Sequence, residues 1–159
     1  MSVAFTREED LEATAADLPD RPVSLHPNLV TPEGLAQIEA ELAQARAAYA
    51  AAQGADDVSA DRTAMARATR DLRYWSARRA TAQLVEAPAD NARVAFGSTV
   101  AFERDDGRVQ RFRIVGEDEA DPAQGSVSQV SPLARALLGK RVGEEAQVAG
   151  QSVEITAIE

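Results

Sequence analysis

RFRIVGEDEADPAQGSVSQVSPLARALLGK, residues 111–140, is the stretch that decides the fold of the C-terminal half. An alternating apolar run is followed by the polar loop Gly116–Asp121 and then by a second short strand, Ser126–Val130. Ser131 and Pro132 provide a favoured helix N-cap and a first-turn proline, and Gly139 is placed to end that helix. The stretch therefore predicts a strand, a polar loop, a second strand and a short helix in immediate succession.

Apolar residues at alternate positions extend this pattern on both sides. Such alternation is typical of strands with one buried face, and it is carried by Val94, Phe96, Val100, Phe102, Phe112 and Ile114. Asp105-Asp106-Gly107 is a hairpin turn signal, and we expect Ala146–Ala149 to pair with Ser152–Ile158 across Gly150-Gln151. A small sheet with one helix packed on it, an α+β domain, is the simplest arrangement of these elements.

Two helical runs precede this domain. Thr31-Pro32 predicts the start of the first, and apolar residues then recur at spacings of three and four, at Leu35, Ile38, Leu42, Ala45, Tyr49 and Ala52. Residues 53–57 break the pattern, and a second run begins near Ser59, with a seam at Met65, Ala68, Leu72, Trp75 and then Arg79, where a charge interrupts it. We therefore expect an antiparallel α-helical coiled-coil hairpin with arms of about 35 Å.

Composition narrows the classes of function. The 159 residues carry a net charge of −9, which disfavours direct binding to duplex nucleic acid and favours a protein partner with basic surfaces. There is no cysteine and His26 is the only histidine, so disulfides, thiolate metal sites and serine–histidine catalysis are not expected. No apolar run approaches the ~18 residues of a membrane span. We expect a cytoplasmic protein that neither binds a membrane nor acts as an enzyme by itself.

The predicted hairpin tip carries acidic residues. Asp56 and Asp57 lie at the turn, and Asp61 follows just after it. Carboxylates at the end of a rigid projection suit a Mg²⁺ ion shared with another enzyme's metal site, because Mg²⁺ takes one or two carboxylates and keeps waters. The alternative is that aspartate is simply a good turn residue and a favourable charge near a helix N-terminus.

Arginines dominate the second arm of the predicted hairpin. Arg62, Arg67 and Arg70 lie in its first half and three more arginines follow, while Asp71 is the single acid between Arg62 and Arg79. A basic helix face suits an RNA backbone or an acidic channel wall. It also suits a solvated polar face opposite the apolar seam, and the sequence leaves both interpretations open.

Several motifs together resemble one known family. They are Thr31-Pro32-Glu33-Gly34, Phe96-Gly97-Ser98-Thr99-Val100, Phe112–Gly116 with Asp118-Glu119, and Ser131–Leu138. The C-terminal motifs are the specific portion, and the set resembles the GreA/GreB family of bacterial transcript-cleavage factors. The resemblance implies a coiled-coil hairpin over residues 30–86, with its tip at about 54–60, and a small FKBP-like α+β domain without isomerase activity over residues 87–159. Acidic, proline-interrupted residues 1–29 predict a flexible arm.

The resemblance also implies a partner, bacterial RNA polymerase, which a monomer would bind at the secondary channel. In that family the C-terminal domain docks on the polymerase rim and the acidic tip helps the polymerase's own site hydrolyse backtracked RNA. No cofactor is implied beyond a Mg²⁺ shared with that site, and the nascent RNA 3′ end would be reached indirectly. Arg62, Arg67 and Arg70 would face the channel or the RNA. Docking would fall to Gly116, Asp118, Glu119, Asp121, Ser131 and Pro132.

Two departures from the family pattern leave the outcome of docking open. Active factors carry a tip of the form GDxxEN, whereas this chain reads GADDVSAD at residues 54–61. From Thr31 to Tyr74 the chain is roughly fourteen residues shorter than GreB, about one heptad per arm or about 10 Å of reach. The alternatives are a factor that stimulates cleavage, a non-cleaving competitor at the same channel, and an adaptor that binds another protein through the FKBP-like domain.

Overall fold

The computed structural model describes residues 18–54 and 58–159, apart from the side chains of residues 58–61. This part of the chain forms two compact units, one made of residues 18–25 and 37–81 and the other of residues 26–36 and 82–159. Each unit has its own buried apolar residues. Within the described residues, no helix is both long and apolar enough to cross a membrane.

Two long helices, α1 (Pro32–Gln53) and α2 (Val58–Thr81), form a hairpin, and most of both belongs to the first unit. At ~1.5 Å per residue, their 22 and 24 residues give arms of about 33 and 36 Å. The apolar seam predicted from the spacing lies inside, which confirms the coiled-coil hairpin. Its buried positions are Ile38, Leu42, Ala45, Ala52, Ala68 and Trp75, and its half-buried positions are Leu35, Tyr49, Met65 and Leu72.

Near the end of α2, the buried arginine is not the one that the spacing predicts. The spacing puts Arg79 in the seam, but Arg78 is the buried residue, with 1% exposure. Arg79 pairs with Glu39 of α1, Nε to Oε1 at 3.0 Å, and its side chain stays 46% exposed. Because Glu39 lies in the second turn of α1 and Arg79 in the last turn of α2, the pair fits antiparallel helices. Because the pair is exposed, the Arg79 guanidinium stays in contact with water and avoids the large free-energy cost of burying a charge.

The second unit is built on strands. Two-residue strands β1 (Leu29–Val30) and β2 (Gln83–Leu84) form a parallel pair. A separate sheet contains β3 (Thr99–Arg104), β4 (Val109–Val115), β5 (Ser126–Ser128), β6 (Glu145–Val148) and β7 (Gln151–Ile158). Its order is β5–β4–β3–β7–β6, and all neighbours are antiparallel except β4 and β5.

One short helix, α3 (Pro132–Leu137), packs on this sheet. Ser131 caps it as predicted, because the Ser131 hydroxyl oxygen accepts the Ala134 N–H at 3.1 Å. Ala134 and Leu137 are fully buried in a core that also contains Phe102, Ile114 and Ile155. The two helices of the hairpin and this helix-covered sheet confirm the predicted fold class, a coiled-coil hairpin followed by a small α+β domain.

Val94 and Phe96 are buried as predicted, but they do not lie in a strand. They precede β3, and Val94 pairs with the segment after α3 instead. Its N–H donates to the Lys140 carbonyl at 2.8 Å, and its carbonyl accepts the Gly139 N–H at 2.8 Å. The alternation therefore reports burial correctly while the backbone bonds are made to a loop.

The β6–β7 turn is also displaced by one residue from the prediction. It consists of Ala149-Gly150, because Val148 pairs with Gln151. Ala149 and Gly150 have φ values of 51° and 77°, as a two-residue turn of the type I′ class requires. The prediction of Gly150-Gln151 is wrong because a single glycine does not reveal which of its neighbours shares the turn.

Candidate functional site

Loop Gly116–Asp121, which contains four of the six predicted docking residues, begins where β4 ends. Gly116 is buried, and a Cβ there would lie 2.4 Å from the Leu29 carbonyl oxygen. Side-chain carbons essentially never come within 3.0 Å of such an atom, so the close approach requires glycine. The loop closes on itself through the Ala120 N–H, which donates to the Gly116 carbonyl at 3.1 Å.

Glu119 of this loop reaches the start of α1, which lies in the same unit. The Thr31 hydroxyl donates to Glu119 Oε2 at 2.6 Å, and the Thr31 oxygen accepts the Gly34 N–H at 3.0 Å. A Cβ on Gly34 would lie 2.5 Å from the same Glu119 oxygen. Glu119, a predicted docking residue, is therefore half-buried and hydrogen-bonded to Thr31, the residue that caps α1.

Further contacts join the segment before α1 to the sheet. Glu33 Oε2 lies 3.5 Å from Arg113 Nη2 on β4, and the Gln129 side-chain amide donates to the Pro27 carbonyl at 3.0 Å. The pKa of Glu33 lies below its ordinary value of 4.5, first because a backbone N–H bonds to its carboxylate and second because of the Arg113 guanidinium. The first turn of α1 and the β4–β5 region thus form one connected assembly.

Asp121 differs from the other loop residues because its side chain is exposed and makes no capping hydrogen bond. Its backbone does the structural work: the Asp121 carbonyl accepts the Gln124 N–H at 2.9 Å and the Ser126 N–H at 3.1 Å. Asp118 is half-buried and has a polar partner. Asp121 is therefore the predicted docking residue whose side chain is most clearly available to a partner.

The other two predicted docking residues, Ser131 and Pro132, lie at the start of α3, and they also differ in exposure. Ser131 is half-buried and is used as the cap of α3, whereas Pro132 is exposed. Of the six predicted docking residues, Gly116, Glu119 and Ser131 make contacts within the domain, whereas Asp121 and Pro132 have exposed side chains. The sequence motif alone does not separate these two roles.

The predicted RNA- or channel-facing arginines lie on α2. Arg62 and Arg67 are exposed, and Arg70 is half-buried, with its Nε 3.4 Å from Asp71 Oδ1. The predicted tip acids Asp56 and Asp57 lie outside the described residues, as does the side chain of Asp61. Among the described side chains, no group of three or more His, Cys, Asp or Glu residues is placed to hold a metal ion.

Sequence reasoning missed a contact between residues 18–25 and α2. The Arg21 guanidinium carbon lies 3.9 Å from the centroid of the Tyr74 ring, and its Nη1 lies 3.6 Å from Asp71 Oδ1. Arg73 donates to Asp20 Oδ1 at 3.2 Å. The stacked arginine and two ion pairs fasten part of the predicted acidic arm onto the basic helix. The only sequence signal for this contact is the charge complementarity of two segments about fifty residues apart, Asp20-Arg21 and Asp71-Leu72-Arg73-Tyr74.

Comparison with known proteins gives a consistent result. The family described as "Transcription elongation factor, GreA/GreB, C-term" matches residues 89–159. Transcription elongation factor GreB of Xanthomonas axonopodis pv. citri is 41% identical over 133 residues, covering 74% of this chain and 79% of that protein. GreB of Pseudomonas aeruginosa is 37% identical over 135 residues, covering 76% and 80%. In structure, the GreA factor homolog 1 (Gfh1) of Thermus thermophilus matches with 21% identity and a TM-score of 0.40, covering 84% of this chain and 99% of that chain.

The two GreB matches extend beyond the C-terminal domain. A match over 74% of the chain must include part of the hairpin, because residues 89–159 make up less than half of it. The first match also spans 133 positions, more than 74% of the 159 residues here, so some aligned positions have no residue in this chain. A shortened hairpin would produce such gaps.

Proposed function

Because the chain belongs to the GreA/GreB family of transcription elongation factors, we propose that it binds bacterial RNA polymerase at the secondary channel and modulates RNA cleavage or elongation in backtracked complexes. It is not an enzyme in its own right, since it acts by changing the activity of the polymerase. Any Mg²⁺ in the reaction belongs to the polymerase active site. The protein acts as a monomer.

The observation that carries this proposal is the combination of two parts in one chain. The C-terminal residues 89–159 match the family's domain, and a helical hairpin with arms of up to about 36 Å precedes them in the chain. A docking domain without a projection would serve as an adaptor. A long helical hairpin in the same chain as a docking domain suits a factor that binds at a rim and reaches into a channel.

The exposed Asp121 side chain and Pro132 supply the docking contacts in this proposal. An exposed aspartate needs no rearrangement before it meets a cationic partner group, and a charge-assisted contact of this kind adds substantially to affinity. The arginines of α2 then line the part of the projection that enters the channel. Arg62 and Arg67 are exposed there, which suits contact with RNA phosphates or with acidic channel walls.

A binding measurement with matched variants tests the docking step. Asp121→Ala is expected to weaken polymerase binding by about tenfold, the loss of one charge-assisted hydrogen bond. Asp105→Ala is the control, because Asp105 is also an exposed acid and lies on the β3–β4 turn. Equal affinities of the two variants would show that the loop is not the docking surface. Failure of the unmodified protein to bind the polymerase at low salt would overturn the proposed function altogether.

The effect on backtracked complexes separates stimulation from competition. If the tip assists cleavage, the protein shortens the RNA and a double variant Asp56→Ala/Asp57→Ala abolishes the shortening. If it competes, no shortening occurs, and the protein reduces the activity of an added GreB while the double variant still does so. The second outcome has specific support, since the tip departs from GDxxEN and placement errors of a few ångströms disable metal-assisted hydrolysis.

A further inference from the structure

The structure brings together two sequence motifs that lie 88 residues apart. Thr31 and Gly34 belong to the motif that opens α1, and Gly116 and Glu119 belong to the acidic loop after β4. The 2.6 Å hydrogen bond from Thr31 to Glu119 joins them directly, and Gly116 closely approaches the carbonyl of Leu29, two residues before Thr31. All of these residues lie in one compact unit.

The hydrogen bonds form a relay from a carboxylate to a helix N-terminus. Glu119 accepts from the Thr31 hydroxyl, and the same hydroxyl oxygen accepts from the Gly34 N–H. A charged acceptor strengthens the first bond, and the polarised hydroxyl becomes a better acceptor for the second. The negative charge also lies near the positive end of the α1 dipole, where it is favourable.

Both glycines leave space for close contact between the loop and residues 29–34. A side chain at Gly34 would meet Glu119 Oε2 at 2.5 Å, and one at Gly116 would meet the Leu29 carbonyl oxygen at 2.4 Å. Neither glycine has a positive φ, so backbone conformation does not explain them. Close packing of the loop against residues 29–34, which form β1 and the start of α1, is the property that these two positions share.

We propose that Thr31 and Glu119 are positioning residues that fix the start of α1 to the docking loop. This role rests on the proposed function, because it concerns how a docked protein presents its helix. In this role Glu119 Oε2 holds the Thr31 hydroxyl, and the residue is not a docking contact. The residue therefore matters for what the docked protein does and much less for whether it docks.

Amide hydrogen exchange in the intact protein tests the relay without any partner. Glu119→Ala removes the carboxylate and leaves the threonine cap, and it is expected to speed exchange of the Gly34 amide by about tenfold, the effect of one hydrogen bond. Glu119→Gln keeps an oxygen that accepts from Thr31 and is expected to restore slow exchange. Thr31→Ser, which keeps the hydroxyl, is the second conservative control, and Thr31→Val is the matched loss.

Polymerase measurements on the same variants test the positioning role. Glu119→Ala and Thr31→Val are expected to bind polymerase within about threefold of the unmodified protein and to lose about tenfold of its effect on backtracked complexes, with both conservative variants restored. Unchanged Gly34 exchange in Glu119→Ala would overturn the relay. A loss of binding as large as the loss of effect would make Glu119 a docking contact and overturn the positioning role. If the unmodified protein does not bind polymerase, the proposed function fails, and the positioning role fails with it even where the exchange results hold.

Discussion

Gly116→Ala is the substitution whose cost the structure defines most clearly. The new Cβ would lie 2.4 Å from the Leu29 carbonyl oxygen, whereas ordinary van der Waals contact begins at 3.4 Å. Leu29 is a backbone obstacle, and its strand β1 is paired with β2. The chain must therefore shift by about 1 Å at this point, and no side-chain rotation can relieve the clash.

The magnitude follows from two opposing effects. Overpacking of this kind costs about 1–3 kcal/mol, and replacement of a glycine by alanine at a compatible conformation returns about 0.4–1 kcal/mol through the unfolded chain. The expected net loss is about 1–2 kcal/mol, which for a protein of this size lowers Tm by about 2–8 °C. Gly34→Ala is the matched control. Its clash is with the end of the flexible Glu119 side chain, and alanine favours the helix by about 1 kcal/mol.

Calorimetry measures the loss of stability, and amide exchange measures the backbone shift at the β1–β2 pair. Calorimetry gives the loss of Tm for Gly116→Ala, and near-neutral stability is expected for Gly34→Ala. Exchange should quicken at Gln83 and Val85, whose N–H groups donate to the Asn28 and Val30 carbonyls at 2.8 and 2.9 Å. A Gly116→Ala protein with unchanged Tm and unchanged exchange at these amides would refute the claim that close approach requires glycine here.

Three further predictions concern charged residues. Arg78→Ala should destabilise the protein by about 3 kcal/mol or more in urea unfolding, because it truncates a large buried side chain, whereas Arg79→Ala should cost at most about 1 kcal/mol. The pKa of Glu33 is lowered in the folded protein, so its carboxylate stabilises the fold above pH 4.5, the ordinary pKa. This stabilisation is lost as the pH falls through the lower pKa of the folded state. Glu33→Gln should therefore be the less stable protein at neutral pH and match the unmodified protein in acid. The Arg21 guanidinium carbon lies 5.3 Å from the centroid of the Trp75 ring, so Arg21→Ala should change the fluorescence emission of Trp75. Added salt screens the Arg21 charge, so it should change this emission in the unmodified protein but not in Arg21→Ala.

Local chemistry made much of the fold predictable from the sequence. The seam of α1 follows from apolar spacing, and the caps at Thr31 and Ser131 follow from a hydroxyl placed before a proline-started helix. These signals lie within a few residues of the feature they specify. The hairpin and the helix-covered sheet could therefore be predicted before any contact between distant residues was known.

The features that sequence missed depend on contacts between distant segments. Nothing near Arg78 distinguishes it from Arg79, and the choice of which is buried depends on what surrounds the end of α2. Ala149 adopts a positive φ because the pairing of β6 with β7 places it in the turn, against its own preference. In the candidate site, the acidic motif is visible in the sequence, but the Thr31 partner of Glu119 is not.

The division of the acidic loop changes how mutations in it should be interpreted. A substitution of Gly116 acts first on the packing between the loop and β1, and a substitution of Glu119 acts first on its bond to Thr31 before α1. A substitution of Asp121 removes an exposed carboxylate and leaves the backbone bonds that shape the turn. If all three weaken activity, only the Asp121 result reports on docking itself. The motif that first identifies this loop therefore combines a surface for a partner with a structural contact to β1 and the start of α1, and each function can be removed without the other.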